Sequence, residues 1–379
     1  LVAGPADADR VTAAAKKLCL ARQVAQLKGL FGKNIPAAGI FRSFAGRHGR
    51  FGRCARVERG KGARVRYVHD KAIVPGKLYL DKKGRIVGIW FNTPVLTKDT
   101  IAAVVAAFRK LPGKVGLTVR TLRGKKIAAL HPRRPLAVAS TFKLVLLKAL
   151  VDRIAKGRAR WTDIVRLREA DRSLPSGILQ DWPVGSPLTL QSLATLMISR
   201  SDNTATDHLL SYLGRAAVER YVKARNRPFI STLEAFKLEQ GPRALTARYL
   251  RAKTAGRRKI LKQLARVKRS SLDKGRDTRH LNDKIGWFFS TDELCALIFQ
   301  LRSLKLLGVN TDLADRERWA AIGNKGGYQP GVRNETYVLK HKRSGAWICL
   351  SATCNDRSGK LSYRRFNALV ARLLHLLRR

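Results

Sequence analysis

Acidic residues are scarce in this chain. Only 26 Asp and Glu accompany 77 Lys and Arg in 379 residues, a formal net charge of +51. No stretch of about twenty apolar residues occurs, which excludes a hydrophobic membrane-spanning helix within this sequence. Internal repeats and low-complexity tracts are absent. So are the zinc-finger and RNA-recognition patterns that would give a basic protein a dedicated nucleic-acid groove. Cysteine is sparse: Cys19, Cys54, Cys295, Cys349 and Cys354 leave at least one thiol unpaired. Their spacing fits no metal site and indicates no disulfide framework, so they are expected to be small buried hydrophobes. A local Cys349–Cys354 bridge around a strand-like segment is the alternative.

The positive charge is spread through every segment. Its densest stretch, Arg251 to His280, carries Ile260, Leu261, Leu264 and Val267 at helical spacing, which predicts a solvated basic helix face over a buried one. Charge dispersed in this way favours general adhesion to polyanions, such as envelope polymers or acidic lipid, over a specific nucleic-acid site. The chain begins at Leu1, not Met, which fits a processed chain with its signal peptide removed and predicts a secreted, periplasmic or envelope-associated protein.

At 379 residues and 45% hydrophobic content, the chain suits two domains with substantial cores. Residues 1–109 read as a small α+β unit without catalytic motifs. A helical stretch from about Ala6 to Phe31 carries Val11, Ala14, Ala15, Leu18 and Val24 as its apolar stripe. Arg64–Val68 alternates as a strand, and Leu78–Leu80 meets Ile86–Phe91 across the turn Asp81–Gly84. Adjacent His69 and Asp70 would point to opposite faces, a structural arrangement.

Residues 110–379 form the second domain. Its helix Lys98–Lys110 leads in, and strands are expected at Lys114–Leu122, Lys126–Leu130, Ala320–Ile322, Asn324–Gly327, Asn334–Lys340 and Trp347–Thr353. The middle, from about 145 to 285, is mainly helical. Phe366, Leu369, Val370, Leu373, Leu374 and Leu377 stripe the closing helix Tyr363–Leu377. The fold class is therefore α+β: an antiparallel sheet flanked by helices, with an all-α region inserted between its strands.

Three short motifs carry the chemistry: Ser140-Thr141-Phe142-Lys143, Ser201-Asp202-Asn203 and Lys325-Gly326-Gly327. The first sets a hydroxyl and an amine one helical turn apart, so both project from one face. A serine alone is a poor nucleophile. A lysine whose pKa is lowered by burial and neighbouring cations can take its proton. Leu144, Val145, Leu146 and Leu147 follow Lys143 directly and predict such burial. The second motif adds a hydroxyl for proton relay and an amide to orient a carbonyl. The third adds a cation, with glycines that let substrate lie against a strand. Together they indicate an acyl-transfer serine enzyme that needs no cofactor or metal.

In these motifs the chain resembles the penicillin-recognising serine enzymes, and class A β-lactamases most of all. Leu136–Ser140, Leu174–Gln180 and Leu196–Leu210 are also similar, and the resemblance covers roughly residues 110–379. With the N-terminal region, the layout is similar to two-domain β-lactamase-like serine hydrolases, which include a clavulanic-acid-cluster protein and mycobacterial lipoproteins. A helix followed by a curled antiparallel sheet makes the first unit of this chain similar to nuclear-transport-factor-like or cystatin-like domains.

The resemblance implies roles for individual residues. Ser140 is the nucleophile and Lys143 its base; Ser201 passes a proton to the leaving group; Asn203 contacts the substrate amide and Lys143. Asp202 is an inward anchor. Lys325 holds Ser201 and attracts a substrate carboxylate, Gly327 lines the strand, and the N–H groups of Ser140 and Tyr328 form the oxyanion hole. Two departures matter. Gly326 stands where the family has a hydroxyl that binds the lactam carboxylate. Glu234 lies at about the position of the family's water-activating base, without the usual proline and asparagine and with Lys237 nearby.

The expected activity is therefore serine hydrolysis of a β-lactam, or of an ester or amide, with weak lactam turnover. The alternatives are a penicillin-binding sensor or trap that acylates and stalls, and a polyanion-binding envelope protein that keeps the fold without catalysis.

Overall fold

The computed structural model describes residues 5–60, 63–92, 94–281 and 283–378. The chain divides into two compact units. The smaller runs to Val104 and includes Ala371–Leu377; the larger is Val105–Val370 with Arg378.

The smaller unit opens with α1 (Pro5–Leu20) and α2 (Ala37–Phe51). Five strands follow: β1 (Cys54–Arg59), β2 (Arg64–His69), β3 (Ala72–Leu80), β4 (Ile86–Phe91) and β5 (Val95–Leu96). They form one antiparallel sheet in the order β1-β2-β3-β4, with β5 also on β3. The predicted hairpin is present, with Leu78 opposite Ile89. Its turn forms because Asp81 Oδ1 accepts from the Lys83 and Arg85 N–H groups. The helix read over 6–31 stops at Leu20, and a second helix, α2, was not legible. Gly39, Gly46 and Gly49 dilute its pattern, and only Phe44 and Phe51 on it are buried. His69 is buried, its Nδ1 facing the Gly52 carbonyl at 3.1 Å, while exposed Asp70 accepts from the Arg53 N–H.

Helix α3 (Ile101–Arg109) leads to the larger unit's β6 (Lys114–Thr121), β7 (Lys126–Leu130) and β8 (Leu136–Ala137). Then come α4 (Lys143–Ala155), β9 (Ile164–Arg166), β10 (Pro187–Thr189), α5 (Leu190–Ser199), α6 (Asn203–Leu213) and α7 (Arg215–Glu219). Helices α8 (Thr232–Gln240), α9 (Arg243–Arg251) and α10 (Thr254–Leu264) precede β11 (Phe288–Phe289) and α11 (Thr291–Gln300). The chain ends with β12 (Ala321–Gln329), β13 (Val332–Lys340), β14 (Trp347–Asn355) and α12 (Tyr363–Leu376).

The main sheet is antiparallel in the order β12-β13-β14-β6-β7, with the helical region inserted between β7 and β12 along the chain. The two strands expected within 320–327 are one, because β12 pairs with β13 without a break from Ala321 to Gln329. The core of this unit runs through α4, where Leu144, Val145, Leu146 and Leu147 are all buried, each stabilising the fold by roughly 1.5–3 kcal/mol. Ile260, Leu261 and Leu264 are the buried face of α10, as their spacing predicts. Among the described residues no helix is long and apolar enough to cross a membrane.

The cysteine expectation is corrected. Cys19 pairs with Cys54 and Cys295 with Cys349, each bridge lying within one unit, and Cys354 is a free, buried thiol. Sequence could not show this, because the partners are 35 and 54 residues apart on different elements.

Candidate active site

The chain enters the site through a tight turn. Ala139 has φ 44°, an uncommon conformation for a residue with a side chain, and a single 3-10 turn over Ala139–Phe142 then feeds α4. This turn sets Ser140 at the mouth and Lys143 at the start of α4, where Lys143 is completely buried. Thr141 anchors the turn from below: its hydroxyl donates to Asn334 Oδ1 at 2.7 Å, and Asn334 Nδ2 donates to Thr353 Oγ1 at 2.7 Å. These buried polar groups on the main sheet were not singled out from sequence, since nothing local marks an asparagine or threonine in a strand.

Strand β12 passes directly against the turn. A Cβ on Gly327 would lie 2.0 Å from the Val138 carbonyl oxygen and 3.0 Å from the Thr141 nitrogen, so only glycine allows this approach. The strand carries Lys325 into the interior and places Gly326, Gly327 and Tyr328 along the cavity wall.

The third wall is the Ser201–Asn203 segment. Asp202 caps α6 by accepting from the Ala205 N–H, and its other oxygen accepts from the Ile178 and Leu179 N–H groups. It is the inward anchor expected. The Asn203 amide donates to the Leu174 carbonyl, which ties the Leu174–Gln180 loop to the site. Ser201, at φ 54°, is thereby held with its hydroxyl between two lysines.

The amine geometry gives the site its chemistry. Lys143 Nζ is 2.6 Å from the Ser201 carbonyl oxygen, 2.6 Å from Asn203 Oδ1 and 3.2 Å from Ser201 Oγ. Lys325 Nζ donates to the same Ser201 Oγ at 3.1 Å and to the Gly326 carbonyl at 2.7 Å. Burial holds Lys143 well below the usual lysine range, and the Lys325 cation adds to this against Asp207 and Asp202. A neutral Lys143 amine has two N–H groups, matched by the two carbonyl oxygens, and one lone pair left for a hydroxyl proton. Lys325 is also lowered, to about 8, chiefly by burial, with Glu335 opposing. It therefore stays mostly protonated at neutral pH. Burial thus favours the neutral form of Lys143 over its cation, and one Ser201 hydroxyl bridges it to Lys325. Ser140 Oγ makes no hydrogen bond to a described residue, and Ser140 borders the cavity.

The cavity has a volume of about 760 Å³, and Ser140, Ser201, Asn203, Lys325, Gly327 and Tyr328 all line it. Glu234 does not. Its carboxylate accepts from Arg215 at 2.7 and 3.0 Å and from the Ser231 N–H at 2.7 Å, while Ser231 Oγ accepts from the Glu234 N–H. This is a reciprocal cap on α8, and Ser231-x-x-Glu234 is its legible signature. Glu234 is thus engaged as a helix cap and does not border the cavity, in contrast to the water-activating role that the resemblance implies. The nearby Lys237 does not pair with Glu234; its amine donates to the Leu264 carbonyl at 3.0 Å.

Sequence reading also passed over Asp207 and Glu335. Asp207 accepts from the Thr232 and Leu233 N–H groups at the start of α8, and burial raises its pKa to about 6. Glu335 is buried beside Arg333 and Asn324, with burial raising it to about 7. A Cβ at residue 326 would come within 2.9 Å of the end of the Glu335 side chain and of no backbone atom among its nearest neighbours.

Residues 96–281 match the Beta-lactamase enzyme family. No curated protein matches the sequence. Among solved structures, a β-lactamase from Francisella tularensis is 15% identical, with 72% of this chain and 96% of that one covered at a TM-score of 0.51. PBP-A is 16% identical over 73% of this chain and 93% of its own, at 0.50. A mutant of the class A β-lactamase of the last common ancestor of Gram-negative bacteria is 18% identical over 73% and 96%, also at 0.50. The unit that brings Ser140, Lys143, Ser201 and Lys325 together has the β-lactamase/transpeptidase-like fold.

Proposed function

We propose that this protein is a serine hydrolase that forms an acyl-enzyme at Ser140 on a β-lactam, or on a reactive ester or amide. The observation that carries the reading is the Lys143–Ser201–Lys325 bridge beside an unengaged Ser140 hydroxyl. Lys143 takes the Ser140 proton as Oγ attacks the carbonyl. Ser201 passes a proton to the leaving nitrogen or oxygen, with Lys325 fixing the hydroxyl and attracting a substrate carboxylate. The N–H groups of Ser140 and Tyr328 stabilise the oxyanion, and Asn203 orients the substrate amide.

Deacylation is the slower half. Glu234, at the position where the resemblance implies a water-activating base, is bound to Arg215 and does not border the cavity, which supports slow attack by water. Gly326 offers no hydroxyl to a lactam carboxylate. The acyl-enzyme therefore accumulates, and the protein behaves between an enzyme and a trap. The smaller unit supplies no catalytic group. The two disulfides support an oxidising compartment, secreted, periplasmic or envelope-associated, and the dispersed charge supports adhesion to polyanions there.

The pH profile of acylation tests the reading. Lys143 must be neutral to accept a proton, so the rate is expected to rise through a pKa well below the ordinary lysine range. Lys325 must stay protonated, so the rate is expected to fall above about 8. Stopped-flow acylation with an activated ester would measure both limbs. A rate still climbing at pH 10 would assign the proton transfer to a group of ordinary pKa and exclude this pair.

A further inference from the structure

The cavity continues well past the nucleophile. Thr232, Ala235, Phe236, Glu239 and Gln240 line it from one face of α8, at the spacing of a single helical stripe. Thr232 stands at the catalytic end, its hydroxyl donating to the Asn203 carbonyl. Glu239 lies seven residues on, about 10 Å further along the axis at 1.5 Å per residue. Ala235 and Phe236 form the apolar wall between them, one turn from each end.

The far end is unusual in its unmet polar groups. Glu239 is 9% exposed, and its carboxylate makes no hydrogen bond or ion pair with a described residue. Burial alone raises its pKa to about 7, with no cation contributing. The Gln240 Oε1 atom is buried without a partner. Arg276 donates through Nη1 to the Gly241 and Glu239 carbonyls, which fixes the guanidinium at the end of α8. Its Nε is buried without a hydrogen bond, Asp273 lying 3.7 Å away. Lys274 lines the same end. Buried polar groups left unpaired are costly, by about 1–3 kcal/mol each. Here two acceptors without a partner share a cavity wall with a guanidinium whose Nε is met only by the Asp273 carboxylate, in an ion pair at 3.7 Å.

We propose that this end is a subsite for a zwitterionic α-amino-acid group carried on an aliphatic arm of the substrate's acyl side. The ammonium donates to the Glu239 carboxylate and Gln240 Oε1. The carboxylate accepts from Arg276 Nε and is drawn by Lys274. The arm crosses Ala235 and Phe236, and the amide that joins it to the reacting nucleus faces Asn203. The catalytic orientation rests on the Ser140 acyl-enzyme reading; the subsite itself does not.

Two measurements separate these. The first compares Ser140 acylation rates for one penam nucleus bearing 2-aminoadipyl, adipyl or 6-aminohexanoyl side chains. The zwitterionic arm is expected to react at least tenfold faster than either half-charged arm. In Glu239→Gln its advantage over adipyl is expected to vanish. Equal rates for the three arms, or an unchanged preference in Glu239→Gln, would overturn the subsite.

The second measurement needs no chemistry: norleucine, hexanoate and pentylamine are titrated calorimetrically into Ser140→Ala. Norleucine is expected to bind at least tenfold tighter than the other two, and to lose that margin when Glu239→Gln is added. Norleucine no tighter than pentylamine would overturn the zwitterion assignment. Norleucine binding without acylation by any penam would leave the subsite standing and remove the catalytic reading instead.

Discussion

Replacing Lys143 with arginine is expected to slow acylation of Ser140 by roughly 10²–10⁴-fold, the usual contribution of a positioned general base. The substitution keeps a cation-capable side chain of similar reach but removes the property the site depends on. Lys143 is buried completely, and its pKa lies well below the ordinary lysine value because burial and Lys325 both oppose its charge. A guanidinium stays protonated under the same pressure, so it has no lone pair to offer Ser140. It would also place a permanent cation beside Lys325. Some loss of stability is expected too, because the larger planar head must displace contacts to the Ser201 carbonyl and Asn203. Circular dichroism on the same sample separates unfolding from loss of chemistry. Acylation of a folded Lys143→Arg variant at the wild-type rate would show that another group takes the proton.

Gly327→Ala is expected to be nearly as severe, for a steric reason. The added Cβ would stand 2.0 Å from the Val138 carbonyl oxygen, 2.9 Å from Thr141 Oγ1 and 3.0 Å from the Thr141 nitrogen. Two of these three are backbone atoms of the turn that presents Ser140, and the third is held by Asn334. None can swing away, so β12 and the turn must separate by about an ångström. A displacement of that size can cost about 10²-fold in rate, and overpacking of this kind about 1–3 kcal/mol in stability. Gly326→Ala is the matched control. Its Cβ would meet only the end of the Glu335 side chain, at 2.9 Å, which can shift. Acylation rates and denaturation midpoints of the two variants check the contrast; equal effects would mean that the close approach at Gly327 has no bearing on catalysis.

Much of the larger unit was legible because its signals are local. The Val115–Val119 and Tyr337–Leu339 strands alternate or run apolar between turns, and Phe366 to Leu377 is a plain helical stripe. The motifs around Ser140, Ser201 and Lys325 combine short spacing with distinctive chemistry, and the fold brings all three to one cavity. What escaped notice depends on pairing across the chain. The Cys295–Cys349 bridge joins α11 to β14, and the Asn334–Thr141 bond joins β13 to the nucleophile turn. The α2 helix, with three glycines, has little intrinsic signal, and its formation rests on burying Phe44 and Phe51. Glu234 is a different case. Ser231-x-x-Glu234 announces a helix cap in the sequence itself, but analogy with a catalytic loop drew attention to its position in the chain and away from its spacing. Glu239, five residues further on, has no motif at all. Only the helix face and the cavity single it out.

The central claim is that Ser140 becomes acylated and that the acyl-enzyme outlives its formation. Time-resolved intact-mass spectrometry during incubation with a penicillin, followed by peptide mapping, tests it directly. The expected result is a rapid gain of one penicillin mass on the peptide containing Ser140, slow return to the free mass, and no adduct in Ser140→Ala. An adduct on another residue, or its persistence in Ser140→Ala, would contradict the account, as would penicillin turnover too fast for any adduct to accumulate.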